Sequence, residues 1–196
     1  KLISVVMAYY NRRQHLINTL YSMTKSVYKN FEVIVVDDAS SEEHRIEDLQ
    51  NQFQFLKVFR IEKENKTHVN PCIPTNMAIS QASGNIIIIQ NPECFHYDDV
   101  FNHVANNLNE NEYFVYTTVN KNISNQLKTI NWSIDYEKQI SKIVKIDKND
   151  SLTNQWYCHR IFRPVALNFC AAILRKDLIE LNGFDERYAN GVERDD

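Results

Sequence analysis

The stretch Val33-Ile34-Val35-Val36 runs without a polar residue straight into Asp37-Asp38. A continuous β-branched run fits a strand covered on both faces, as in a parallel sheet. Paired carboxylates should not end such a strand unless they sit in the crevice at its carboxyl end, where open α/β sheets bind ligands. The plainer reading has one Asp capping the next helix and the other solvated.

The rest of the first half alternates strand and helix signals. Leu2–Ala8, Phe31–Val36, Leu56–Ile61, Ile86–Ile89 and Tyr113–Val119 read as strands. Between the first two, Asn11 is placed to cap a helix with the stripe Leu16, Leu20, Met23 and Val27. Ser40 with Glu43 makes a capping-box pattern ahead of Ile46, Leu49 and Phe53. A helix within Pro71–Ser83 has Gly84 placed as its terminator, and Tyr97–Leu108 is amphipathic, with Val100, Phe101, Val104 and Leu108 inward. This order predicts an α/β fold with a doubly wound, mostly parallel sheet flanked by helices. Right-handed crossovers then bring the carboxyl ends of the parallel strands to one side.

Residues 120–155 are polar, rich in Lys and Asn, and read as a variable excursion. Order resumes at Trp156, with a strand over Phe169–Leu174 and a short helix over Lys176–Leu181 ended by Asn182-Gly183. One domain over 1–196 is expected, with a first half (1–119), the excursion (120–155) and a closing segment (156–196).

The net charge of -3 argues against a nucleic-acid partner, which needs a basic field. No apolar run approaches the roughly 18 residues of a membrane span. No signal-peptide pattern opens the chain. The expected location is cytoplasmic or at a membrane surface, with a secretory-pathway lumen left open. Cys72, Cys94, Cys158 and Cys170 show no CxxC pairing, so buried free thiols are expected in place of a zinc site.

Three strand ends carry unusual polar residues: Tyr9-Tyr10-Asn11, Asp37-Asp38 and Gln90-Asn91-Pro92-Glu93. An aromatic face and a carboxylate suit a nucleobase, one by stacking and the other by accepting a base N–H. Neither a dinucleotide-type glycine fingerprint nor a P-loop occurs. A diphosphate would then be neutralised most simply by a divalent cation on oxygen ligands, with Glu93 the natural ligand and Asn91 a neutral helper.

Together these segments resemble the inverting nucleotide-sugar glycosyltransferases of family 2, which have the GT-A fold. Ser4-Val5-Val6-Met7-Ala8-Tyr9-Tyr10-Asn11-Arg12 is similar to the family's opening strand and loop, and Val35-Val36-Asp37-Asp38-Ala39-Ser40 to its second strand. Asn76 with Ala82-Ser83-Gly84-Asn85 resembles the helix and turn before its metal strand. Asn91-Pro92-Glu93 falls where the family usually has Asp-x-Asp. Asn182-Gly183-Phe184-Asp185-Glu186 resembles a late turn of the family, and Glu193-Arg194-Asp195-Asp196 its acidic catalytic motif.

The resemblance implies roles. Ala8 and Tyr10 line the base pocket, with Tyr10 against a uracil ring. Asp38 accepts from the base, and Asp37 supports the ribose side or the loop. Glu93 binds Mn²⁺ or Mg²⁺ bridging the diphosphate of a UDP-sugar. Asp195 or Asp196 is the general base for an acceptor hydroxyl on a glycan, protein or lipid-linked acceptor, with Asp196 the more natural match. Because the family places further acceptor elements beyond this motif, the chain is expected to belong to a longer protein. Two alternatives stand beside transfer: a non-catalytic binding module of the same fold, favoured by Asn91, and a sugar nucleotidyltransferase, opposed by the absence of glycine from Tyr9-Tyr10-Asn11-Arg12-Arg13.

Overall fold

The apolar runs form the sheet. The computed structural model describes residues 1–120, 126, 129–132, 136–143, 156–161 and 163–191. Its strands are β1 (Ile3–Tyr9), β2 (Phe31–Asp38), β3 (Leu56–Ile61), β4 (Ile86–Gln90), β5 (Tyr113–Val115), β6 (Thr118–Val119), β7 (Trp156–Tyr157) and β8 (Cys170–Leu174). Its helices are α1 (Arg13–Met23), α2 (Cys72–Ser80), α3 (Val100–Asn107), α4 (Tyr136–Ile143) and α5 (Arg175–Glu180).

Six strands make one sheet in the order β3-β2-β1-β4-β8-β5. β1 pairs in parallel with β2 and β4, and β2 with β3. β8 enters antiparallel between β4 and β5, so it alone of the six runs against the others. This is the α/β, mostly parallel, doubly wound sheet expected from the strand order. Because side chains alternate along a strand, each strand feeds two cores. Ile3, Val5, Met7, Val33, Val35, Ile86 and Ile88 face Leu16, Leu20 and Met23 of α1 and Phe101 and Val104 of α3. Val6, Ile34, Val36, Ile87 and Ile89 face Ala78 of α2 and Leu178 of α5. Residues Val33 to Val36 are fully buried, at about 1.5–3 kcal/mol per side chain.

Several local expectations change. The segment after Ser40 forms two 3₁₀ turns, Glu42–His44 and Glu47–Asn51, in place of one α-helix. Ile46 and Leu49 are nonetheless buried, because 3₁₀ spacing also brings residues three apart to one side, and Phe53 is buried just past the second turn. The Ser40 hydroxyl caps no helix; it accepts from the Asn11 N–H at 2.9 Å. Asn11 is not the N-cap of α1 either, since Arg12 holds that position and Asn11 is left-handed at φ 51°. α1 ends at Met23, which leaves Val27 exposed instead of on its apolar stripe. The run Tyr113–Val119 divides: its start pairs with β8, and its end crosses to a two-stranded ribbon with β7. Among the described residues of the excursion, Trp132 stacks on Tyr21 of α1 at 5.2 Å between ring centres. All four cysteines are free; Cys72, Cys94 and Cys170 are buried, as expected, while Cys158 is only partly so. No helix among the described residues is long and apolar enough to cross a membrane.

Gly84 does not terminate a helix. α2 ends at Ser80, and Gly84 is where β4 approaches β1. A Cβ there would lie 2.7 Å from the Leu2 carbonyl oxygen and 2.8 Å from the Ser4 nitrogen. The Gly84 N–H donates to Ser4 Oγ at 2.8 Å, and Ser4 donates to the buried Glu32 carboxylate at 2.6 Å. Glu32 also accepts from Ser83 N–H (2.9 Å), Ser83 Oγ (2.7 Å) and Lys57 (2.7 Å). Burial alone would raise the Glu32 carboxyl, but these donors outweigh it and bring it from 4.5 down to about 2. The cluster ties β1, β2 and β3 to the turn entering β4 at the edge opposite the strand ends.

The loop leaving β4 is equally fixed. Gln90 Nε2 donates to the Cys94 carbonyl at 2.7 Å, and its Oε1 lies 2.8 Å from His96 Nε2. Thr19 and Ser22 of α1 hold the loop from the other side, at Pro92 O (2.9 Å) and His96 N (3.0 Å). His96 is thus a buried structural group. Burial lowers its pKa from 6.5 to about 4, with the Asp99 charge opposing more weakly.

Gly84→Ala should lower stability by about 2 kcal/mol through the backbone contact, read as a drop in the urea midpoint. Acid should act in two windows. The His96 contribution is complete above pH 6.5 and is lost as pH falls through about 4. Fully protonating this site costs about 3 kcal/mol. The Glu32 contribution is complete above 4.5 and is lost as pH falls toward about 2. His96→Gln should flatten the first limb of a midpoint-against-pH curve and leave the second; a wild-type curve flat from pH 7 to 4.5 would contradict the assignment.

Candidate functional site

The parallel register brings the expected residues to one edge. Tyr9 pairs with Asp37 across β1 and β2, and Asp37 with Arg60 across β2 and β3, so the exits of these strands lie level. β4 lies on the other side of β1, and its exit loop carries Asn91 and Glu93. Two left-handed residues turn the chain at these exits, Asn11 at φ 51° and Ala39 at φ 64°.

Asp37 is fully buried and turned inward. Its Oδ1 accepts from the Ser40 N–H at 2.9 Å, and its Oδ2 forms an ion pair with Arg60. The second terminal nitrogen of Arg60 donates to the Ser40 carbonyl at 2.7 Å. Asp37 and Arg60 therefore clamp the β2 exit loop from both its N–H and its C=O. That loop in turn holds the β1 exit: Asn11 N–H donates to Ser40 Oγ, and Ser41 N–H to Asn11 Oδ1, both at 2.9 Å. Tyr9 is packing, buried with its hydroxyl on the His44 carbonyl at 2.7 Å, and burial pushes its pKa up to about 12.

Asp38, itself buried, and Tyr10 lie beside the same loops. Asp38 Oδ1 lies 2.8 Å from His68 Nε2, and Oδ2 accepts from Lys66 Nζ at 2.7 Å. Lys66 Nζ also stands 4.9 Å from the centre of the Tyr10 ring, whose side is half exposed. Ala8, partly buried at the end of β1, adds no bulk beneath them. Each carboxylate oxygen keeps a second lone pair, so Asp38 retains acceptor capacity toward a further N–H.

Glu93 projects from the pinned β4 loop and pairs with Arg12 at the start of α1. Asn91 lies two residues before it, with its N–H on the Phe169 carbonyl at 3.0 Å. No group of three His, Cys, Asp or Glu side chains forms a ready-made metal cage among the described residues. One partly exposed carboxylate, with a neutral amide side chain two residues before it, still fits a cation of the kind whose remaining ligands are water and substrate phosphate.

Asp195 and Asp196 lie outside the described residues. The turn before them is firmly docked: Asn76 of α2 donates to the Phe184 carbonyl (2.8 Å) and to Glu186 (2.9 Å), and accepts from the Phe184 N–H (2.9 Å). Asn182 and Gly183 are left-handed there, as their place after α5 leads one to expect. Arg163 lies over the Tyr157 ring at 4.2 Å. Sequence reasoning missed Arg12, Arg60, Lys66 and His68. The position of Arg60 at the end of β3 was the only available signal.

An uncharacterized glycosyltransferase of Rickettsia bellii is 31% identical over 102 residues, which is 52% of this chain and 13% of that protein. The amylovoran biosynthesis glycosyltransferase AmsB of Erwinia amylovora is 31% identical over 86 residues, 43% of this chain and 28% of that protein. The chain thus spans less than a third of the length of these curated relatives. The mannosyltransferase PcManGT of Pyrobaculum calidifontis, solved in complex with GDP-Man and Mn²⁺, superposes with a TM-score of 0.55 at 16% identity. That likeness covers 93% of this chain and 47% of the mannosyltransferase, and it shows a shared fold. Residues 4–170 match the family model described as glycosyl transferase family 2, and the chain belongs to that family, with its GT-A fold.

Proposed function

We propose that this chain is the donor-binding and catalytic domain of an inverting glycosyltransferase that moves a sugar from a UDP-sugar to an acceptor hydroxyl. The observation that carries the reading is the meeting, on one sheet edge, of Tyr10, Asp38, Lys66 and His68 with the pinned Glu93 loop. The Tyr10 ring stacks on the base, with Ala8 leaving room beneath it. Asp38, held in place by Lys66 and His68, accepts a base N–H. Asp37 acts through the Ser40 loop and does not touch the donor.

Glu93, with Asn91 as neutral oxygen, would hold the Mn²⁺ or Mg²⁺ that the family membership suggests. A divalent cation there would supply Lewis-acid stabilisation of the departing diphosphate. Asp196, or Asp195 one residue earlier, takes the proton from the acceptor hydroxyl, which is a poor nucleophile until deprotonated. Attack from the face opposite the diphosphate inverts the anomeric centre. The acceptor hydroxyl belongs to a glycan, a protein or a lipid-linked acceptor. A non-catalytic binding module is the second reading, favoured by the neutral Asn91 and by the Arg12 pairing of Glu93.

Calorimetric titration with UDP should show binding that Mn²⁺ strengthens, and Glu93→Ala should remove the strengthening. No nucleotide binding with or without the ion would overturn the reading. With a donor panel scored by released UDP, Asp196→Asn should keep UDP affinity and lose transfer by about 10²–10⁴-fold. Normal transfer by Asp196→Asn would move the base to Asp195. UDP binding with no transfer to any acceptor would favour the binding module.

A further inference from the structure

Arg12 is the one site residue whose pairing the proposed mechanism leaves unused. It stands at the N-cap position of α1, where its side chain makes no capping bond. Its guanidinium instead reaches Glu93, 81 residues away. Both side chains keep contact with water, at 51% and 33% exposure. An exposed pair of this kind adds only about 0–1 kcal/mol to stability, so exchanging it costs the fold little. Glu93 is not free to follow Arg12, because Thr19, Ser22 and His96 fix its loop. The neighbouring Arg13 is committed to a bidentate pair with Asp48 at 2.7 and 2.6 Å. Arg12 is therefore the mobile partner.

A guanidinium on a carboxylate oxygen neutralises it and repels an incoming divalent cation. The neutral Asn91 does nothing to restore the lost charge. A diphosphate changes the balance, since its anionic oxygens match the planar fork of an Arg and also supply ligands to the cation. We propose that Arg12 is the resident counter-cation of Glu93. It keeps the nucleotide-free site closed to divalent metal, then passes to the diphosphate and releases Glu93 when the nucleotide arrives. The inference rests on the donor-site reading above. It makes Arg12 a positioning residue and makes metal and nucleotide binding mutually dependent.

The test is Mn²⁺ binding without nucleotide, followed by the electron paramagnetic resonance signal of the free ion. Arg12→Gln should bind Mn²⁺ on the order of tenfold more tightly than wild type, because a like charge beside the ligand is gone. Arg12→Lys keeps the charge and should stay near wild type. The double variant Arg12→Gln/Glu93→Gln should lose the gain. In the presence of UDP, the mutual strengthening of UDP and Mn²⁺ should be smaller in Arg12→Gln than in wild type. Equal Mn²⁺ affinity in Arg12→Gln and wild type, or an equal gain in Arg12→Lys, overturns this inference alone. Failure of the wild type to bind UDP under any condition overturns the donor-site reading and the hand-over with it.

Discussion

The buried pair of Asp37 and Arg60 is the constraint on which the site depends. Asp37 has no exposure, and the Arg60 side chain has 12%. Removing two charges from water costs several kcal/mol per ion, and their attraction does not reliably exceed that cost. The pair is therefore a poor source of stability, and its yield is geometric. It holds the Ser40 N–H and C=O at once, and Ser40 and Ser41 then hold Asn11. Two loops leaving adjacent strands become one rigid unit. Tyr10 and Asp38 take their backbone positions from it, while Lys66 and His68 hold the Asp38 carboxylate.

The same edge shows a uniform handling of charge. Three carboxylates sit near the ends of parallel strands, and each has a cation of its own: Arg60 for Asp37, Lys66 for Asp38, and Arg12 for Glu93. Their exposure orders them by use. The Asp37 pair is sealed, the Asp38 pair is partly covered, and the Glu93 pair faces water. Pairs open to solvent can change partners at little cost, while sealed ones cannot. A ligand arriving from the open side thus meets exchangeable charges outermost and fixed ones behind them.

The sheet was legible because its evidence is local. Runs such as Val33–Val36 and Ile86–Ile89 declare a buried strand without reference to anything else. The segment after Ser40 was less so, because burying Ile46, Leu49 and Phe53 is compatible with an α-helix or with 3₁₀ turns, and tertiary packing chose the turns. Gly84 was recognisable as a special position, but the reason lay in Leu2 and Ser4, 80 residues away. Asp37 and Asp38 read as equivalent in a row of letters. Only the pleat separates them, sending one to Arg60 on one face of the sheet and the other to Lys66 and His68 on the opposite face. Lys66, His68 and Arg12 sit in irregular segments, where no periodicity marks a side chain for a distant partner. The acids Asp195 and Asp196 rest on resemblance alone.

The antiparallel strand β8 joins the two halves of the chain physically. It pairs with β4 from Ile86 to Gln90, so Cys170 lies beside Gln90 at the root of the Glu93 loop. Just before it, the Phe169 carbonyl accepts the Asn91 N–H, and just after it α5 packs against the sheet face that carries Ile87 and Ile89. Asn76 adds a second weld, from α2 to the turn at Phe184 and Glu186. A Cβ on Gly183 would lie 2.7 Å from Asn76 Oδ1, so the close approach and the left-handed turn select glycine together. The late segment is therefore set against the same sheet that carries Tyr10, Asp38 and the Glu93 loop. On the proposed reading, a docked turn at Phe184 and Glu186 is one geometric requirement for a base and a leaving group to act on opposite faces of one sugar carbon.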